Sequence, residues 1–442
     1  MTTTGDKASP FHFDRHAPEY IDHFDDLTHQ LHEKCPIAWT ETWGGHWVAS
    51  GYKEVFEIAR HGSLLSNDHD VHHERKGWQG ITIPSPPGRD TRGGFLEMDP
   101  PEQRDWRRAI DPYLSPAAIN RWKPMLDDLT RACIDERIET GTIDFVDDLA
   151  NVVPAIMTLA LMGLPLADWE IYCEPAHAQV YTPPTSPDMA RVIEMTSVTQ
   201  QKLLDGIREC RRNPRPGMVL GLIEAEIMGG PASDSDIRDT LGLLIGGGFD
   251  TTTALTAHSL QWLGENPTER ARLRAELPEL IDLATEEFLR YYTPAPGDGR
   301  TVTCEYELSG HHLEEGDRLW LSWAMANRDP SVFEEPDAVK IDRRHNRHTS
   351  FGLGVHRCIG SNVARTVFKA MLTAVLDRIP DYVCDPSGAV HYDTIGVING
   401  MKHLPATFTP GLRIGKGIEE TIGLWQKSID EEGLARPVTR QG

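Results

Sequence analysis

The stretch FGLGVHRCIG, residues 351–360, sets a single cysteine among three glycines, behind an aromatic residue and beside a His-Arg pair. Glycines leave backbone N–H groups free to point at a neighbour, and a thiol acts as ligand or nucleophile only as its thiolate. Such a loop either carries an incidental cysteine or presents a thiolate to something bound. The residues elsewhere in the chain decide between the two.

The chain has 442 residues, 39% hydrophobic and 25% charged, with a formal charge of -23. So acidic a chain lacks the cationic footprint that nucleic acid or an anionic membrane requires. It contains no run of 18 apolar residues to span a bilayer, and the start MTTTGDKASPFHFDRH lacks the apolar core of a signal peptide. Its seven cysteines are scattered, odd in number and without a CxxC pair, which disfavours a disulfide framework or a thiolate zinc site and points to the cytoplasm. No linker, repeat or low-complexity tract divides the sequence, so residues 1–442 are expected to form one domain. An extra helical tail is expected over 416–442, where Ile418, Ile422, Trp425 and Ile429 share a face.

Helical periodicity dominates between about residues 100 and 290, and strand-like alternation is confined to short pieces such as RTVTCEYELSG and RLWLSWAM. The expected fold class is mainly α with small β-sheets, the strands concentrated late. The segment NVVPAIMTLALMGLPL reads as a buried helix. Between Trp78 and Phe95 lies a loop rich in Gly and Pro, which reads either as a ligand cover or as a surface excursion.

One helix disagrees with itself. The segment from Asp234 to Pro267 reads as a helix of about 30 residues, roughly 45 Å long, yet its middle holds Gly246 to Gly248 followed by three threonines. Local rules broken at the centre of a good helix mark function. Glycines there admit a flat ligand, and a threonine hydroxyl opens the turn, with Asp250 beside it as an ionisable group. Packing alone is the other reading of that kink. Further on, Glu287 and Arg290 stand at i, i+3 on one helical face, a pair that is commonplace by itself.

Together these motifs resemble the cytochrome P450 family, the thiolate-haem monooxygenases, over roughly residues 11–411. The resemblance implies the cytochrome P450 fold, with haem between the long central helix and the cysteine loop. It makes Cys358 the axial ligand of haem iron and Phe351, Gly352 and Gly360 parts of its loop. It makes Gly248 a haem-facing glycine and Arg107, Arg300 and His356 the propionate contacts. Asp250 and Thr251 correspond to the acid-alcohol pair for proton delivery, and Glu287 with Arg290 to the buried ion pair. Where the family often has a histidine four residues before the arginine, this chain has Gln103, which donates a hydrogen bond but carries no charge.

The implied function is insertion of one oxygen atom from O2 into a hydrophobic small molecule, terpenoid, steroid, fatty-acid-like or aromatic. The implied cofactor is haem b, with NAD(P)H used indirectly. The chain holds no flavin or iron–sulphur module, so electrons are expected from a separate ferredoxin and its NAD(P)H-dependent reductase. Arg104, Arg108, Arg343, Arg344, Arg347 and Arg357 are the expected docking patch, with the enzyme a monomer. Substrate contacts are expected from Leu243, Leu244, Gly247, Pro294, Ala295, Ile398 and Met401. A haem protein without oxygenase activity or a peroxide-driven enzyme of the same fold would lack the Asp250 and Thr251 pair. A cysteine hydrolase would need a base that His356 supplies only by accident.

Overall fold

A computed structural model describes residues 11–86 and 88–438. The first ten residues, Pro87 of the early loop and the last four residues of the tail lie outside the described residues.

The broken central helix runs as two segments, Asp234–Gly248 and Asp250–Glu265, meeting at Phe249. Ser233 caps the first by accepting from the Asp236 N–H at 3.2 Å, and the Thr251 hydroxyl donates to the Gly247 carbonyl at 2.9 Å in the broken turn. Around this rod pack Val152–Met162, buried along its whole length, Leu277–Tyr292, and Ser361–Arg378, which follows the cysteine loop. Phe249, Leu255 and Leu260 from the rod share one core with Ile156, Phe288, Phe368 and Leu372. Val152–Met162 ends at Gly163 with φ of 76°, a left-handed stop.

The sheets sit to the side of this core. The largest orders its strands Ile37–Thr40, His46–Ala49, Arg318–Ser322, Gly297–Val302 and Leu65–Ser66, with His46–Ala49 and Arg318–Ser322 parallel and the other pairs antiparallel. Most strands lie after residue 296, as expected, but three of the five in this sheet come from the first 66 residues. Each is only two to four residues long, too short for alternation to register.

The tail forms a helix, Ile418–Glu432, whose Ile422 and Ile429 are buried. The Trp425 indole N–H donates to Asp128 at 3.1 Å, and Arg121 reaches the Leu434 and Arg436 carbonyls. This tail packs on the helix Lys123–Asp135.

Candidate active site

The cysteine loop is shaped by its glycines. Gly352 and Gly354 adopt φ of 63° and 69°, and a Cβ on Gly354 would lie 2.2 Å from the Ala59 carbonyl oxygen, so only glycine fits there. The Cys358 N–H donates to the Phe351 carbonyl at 2.7 Å, closing the loop, and Gly360 caps the helix Ser361–Arg378. Cys358 therefore stands at a helix N-terminus, where the macrodipole favours a thiolate. Its surface is accessible, yet the protein crowded around it desolvates the sulphur and pushes the thiol up. The Gly360 N–H and the charges of Arg107, Arg357 and Arg365 pull the other way.

Arg107 and Arg300 both lie close enough to His356 to repel its proton. Burial first, then these two charges, bring the imidazole down to about 3, so it is neutral. Neither arginine has a carboxylate within ion-pair distance among the described residues. On the same helix turn as Arg107, the buried Trp106 indole N–H has no partner. Two arginines without a direct ion-pair partner and an accessible thiol at a helix N-terminus suit an anionic ligand that carries a thiolate-seeking metal, and haem with its propionates meets both demands.

Gln103 behaves differently from a ligand contact. Its amide nitrogen donates to the Val355 carbonyl at 2.8 Å, tying the helix Glu102–Leu114 to the cysteine loop. Gly248 also departs from expectation. A Cβ there would meet Thr158 Oγ1 at 2.6 Å, so this glycine serves the approach of Val152–Met162 and does not face a cofactor. Gly247, one residue and about 100° around the helix, is exposed, with nothing within 4 Å of its would-be Cβ. Leu243, Gly247 and Thr251 repeat at i, i+4 and i+8 and so share a face.

Asp250 and Thr251 are neighbours whose side chains diverge. Thr251 bonds the Gly247 carbonyl, whereas the buried Asp250 is bound by His177 and by the Tyr392 hydroxyl at 2.5 Å. Neither partner announces itself in the sequence, because each lies in a segment remote from Asp250 and without a motif.

Glu287 and Arg290 are fully buried and doubly bonded, with both distances 2.9 Å. The Arg343 guanidinium, 7% exposed, donates to the same carboxylate at 2.9 Å. Arg343 is therefore an interior member of this cluster and leaves the expected docking patch. Arg104, Arg108, Arg344, Arg347 and Arg357 remain on the surface.

Segments expected around the substrate are brought together in part. The Asn399 N–H donates to the Pro294 carbonyl at 2.8 Å, and Ile398 packs with Ala254, Tyr392 and Ala295. A Cβ on Gly94 would lie 3.1 Å from Leu243, so the end of the Trp78–Phe95 loop lies over the central helix, and that loop is pinned by Arg318 bonds to the Gly77, Gly80 and Thr82 carbonyls. Leu244 packs against the main core. Met401 departs from the group, lining an outer cleft with His177 and Tyr392.

A helical fold that combines a loop cysteine at a helix N-terminus with a long central helix broken at Phe249, between Gly248 and Asp250, defines the class of haem-thiolate proteins. The sequence profile of the family Cytochrome P450 matches residues 180–379. A Vitamin D3 dihydroxylase of Streptomyces griseolus is 30% identical over 324 residues, covering 72% of this chain and 78% of its own. Linalool 8-monooxygenase of Pseudomonas putida is 28% identical over 408 residues, 87% of this chain and 95% of its own. The structure of a mutant of P450 EryK in complex with erythromycin B matches with a TM-score of 0.79 at 25% identity, over 90% of this chain and 100% of that one. The chain belongs to the cytochrome P450 family, and its activity is that of a haem-thiolate monooxygenase using O2. None of its described helices is long and apolar enough to cross a membrane.

Proposed function

We propose that this monooxygenase hydroxylates a hydrophobic terpenoid or steroid-like molecule with electrons from a separate ferredoxin and an NAD(P)H-dependent reductase. The observation that carries the reading is the Leu243, Gly247 and Thr251 face of the broken helix, apolar except at the one hydroxyl and overlaid by the Gly94 end of the early loop. Relatives named for vitamin D3 and for linalool support the terpenoid and steroid end of the range.

Cys358 would be the sulphur ligand of haem, Arg107, Arg300 and the neutral His356 would hold its propionates, and Gln103 fixes the loop through Val355. When bound, haem would supply the oxygen chemistry, tuned by the Cys358 sulphur. Phe351 and the Gly352 and Gly360 turns keep Cys358 in place, with Arg365 stacked over the Phe351 ring at 4.4 Å. The Thr251 hydroxyl orients water in the helix gap, and Asp250 supplies the proton. Pro294, Ala295 and Ile398 complete the apolar wall around the substrate.

The ferredoxin docks on the exposed arginines beside the cysteine loop, Arg104, Arg108, Arg344, Arg347 and Arg357. The acidic net charge makes this basic cluster distinctive, and the free cysteines support a cytoplasmic setting. The test is NADH-driven turnover of linalool with purified ferredoxin and reductase. Arg344→Glu with Arg347→Glu is expected to raise the apparent KM for ferredoxin at least fivefold at low salt, and Thr251→Ala to lower product formed per NADH. Unchanged KM removes the docking patch, and unchanged coupling removes the role of Thr251.

A further inference from the structure

The N-terminal segment places an arginine in the interior. Arg15 is 3% exposed, and its guanidinium carbon lies 3.6 Å over the ring of Trp320, which packs in one small core with Ile83 and Ile395. Its Nε donates to the Gly396 carbonyl at 3.0 Å and its Nη2 to the Ile83 carbonyl, while Nη1 is buried without a partner. Arg318, on the same strand as Trp320, is buried too. It donates to the Gly77, Gly80 and Thr82 carbonyls, and its Nε has no partner.

Neither guanidinium is neutralised. Asp14 and Glu97, the carboxylates whose charges they feel, are engaged by the Trp43 indole at 2.9 Å and by Arg89. The imidazoles beside them carry no charge: burial first, and then the Arg15 charge, bring His16 down to about 4 and His46 to about 3. His16 Nδ1 and His46 Nε2 are buried without partners as well. Burial draws Arg15 down to about 9, so it is still a cation at neutral pH. A buried charge that nothing pairs is costly to the fold, because its lost hydration is not returned.

These orphaned donors sit against the segments that wall the proposed substrate space. Ile83 belongs to the Trp78–Phe95 loop, whose Gly94 end lies over the central helix. Gly396 stands two residues before Ile398, which packs with Ala254 of that helix and with Ala295. The Thr394 hydroxyl donates to the Arg15 carbonyl at 2.9 Å and ties it to the same turn.

We infer that Arg15 is a specificity-determining residue whose Nη1, backed by Arg318, binds the carboxylate of an amphipathic acid, so that the substrate is a terpenoid or steroid-like molecule ending in an acid group. The inference rests on the hydrophobic substrate class proposed above and adds its polar end. A planar guanidinium held by two carbonyls and the Trp320 face is pre-organised for an anion, and its unpaired charge is met when the acid binds. An ester of the same skeleton keeps the apolar contacts and loses that one.

The experiment is a calorimetric titration of the haem-loaded protein with geranic acid, its methyl ester and linalool at about pH 7.5, where a carboxylic acid is ionised. Wild type is expected to bind the acid about tenfold tighter than the ester, or more. Arg15→Met keeps the length of the side chain and its packing on Trp320 but removes the charge. It is expected to bring the ratio close to one with the ester's Kd unchanged. Arg15→Lys keeps the charge without the fork and is expected to lower the ratio about threefold. Thermal melting shows which variants are folded.

Equal affinity for acid and ester in wild type overturns the inference and leaves Arg15 as a bracket for the N-terminal segment. A preference that survives in folded Arg15→Met overturns it too, since another group then holds the acid. Should Arg15→Met not fold, a ratio in Arg15→Lys as large as in wild type has the same meaning. Binding of linalool and the ester without preference for the acid fails the anchor alone, whereas binding of none of the three fails the terpenoid reading with it.

Discussion

The side-chain amide of Gln103 donates to the carbonyl oxygen of Val355 at 2.8 Å, joining residues 252 positions apart. The bond fixes the cysteine loop against the helix that carries Arg107. Replacing Gln103 by Ala leaves the Val355 carbonyl unpaired and is expected to cost about 1 kcal/mol. Haem transfer to apomyoglobin should be several-fold faster from the variant, and an unchanged transfer rate would assign Gln103 no part in holding the loop.

Glu287 faces two buried guanidinium groups, Arg290 and Arg343, and also accepts from the Lys340 N–H at 2.8 Å. Removing its charge strands both arginines in the interior, so Glu287→Gln is expected to lower stability by about 3–5 kcal/mol. Urea unfolding measures this directly. By the same reasoning Arg343→Glu should fail to fold well, unlike Arg344→Glu, which changes an exposed side chain.

Much of this arrangement was legible in the sequence and some was not. The cysteine loop and the broken helix announce themselves because each violates a local rule within ten residues, whereas the Glu287 and Arg290 pair gains meaning only in their company. Arg343 looked like surface charge because it stands in the run Arg343, Arg344, Arg347, and only the fold reveals that its side chain turns inward to Glu287. Gly248 was misread for a similar reason. Three successive glycines are equivalent in sequence, but the helix turns about 100° per residue, so one faces Thr158 and another the open face. His177 and Tyr392 have no local signature, since their meaning comes from a contact between elements 73 and 142 positions away from Asp250.

Glu286 gives a pH prediction. Burial pushes its carboxyl up, but hydrogen bonds and charge from Arg365 and His348 prevail and hold it down at about 2, against an ordinary 4.5. A carboxyl depressed in the folded state adds stability that is present above pH 4.5 and lost as pH falls from there toward 2. Wild type should therefore lose stability more steeply than Glu286→Gln across that window in urea titrations. Parallel curves would show that the Arg365 anchor contributes nothing. The link to the site is direct, because Arg365 also stacks over Phe351.

The C-terminal helix buries Ile429 at 2% exposure and Ile422 at 8%. Ile429→Ala is expected to destabilise the protein by about 2–5 kcal/mol, and deletion of residues 416–442 by more. Differential scanning calorimetry reads both, and an unchanged melting temperature after deletion would show that the tail is not part of the packed structure.

The central claim is that Cys358 is the sulphur ligand of haem iron. The most direct measurement is the absorbance spectrum of the purified protein, reduced and exposed to carbon monoxide, for wild type and Cys358→Ala. The account predicts a long-wavelength, thiolate-type Soret band in the wild type that is absent in the variant. A histidine-type band in both, or no haem in either, would contradict it.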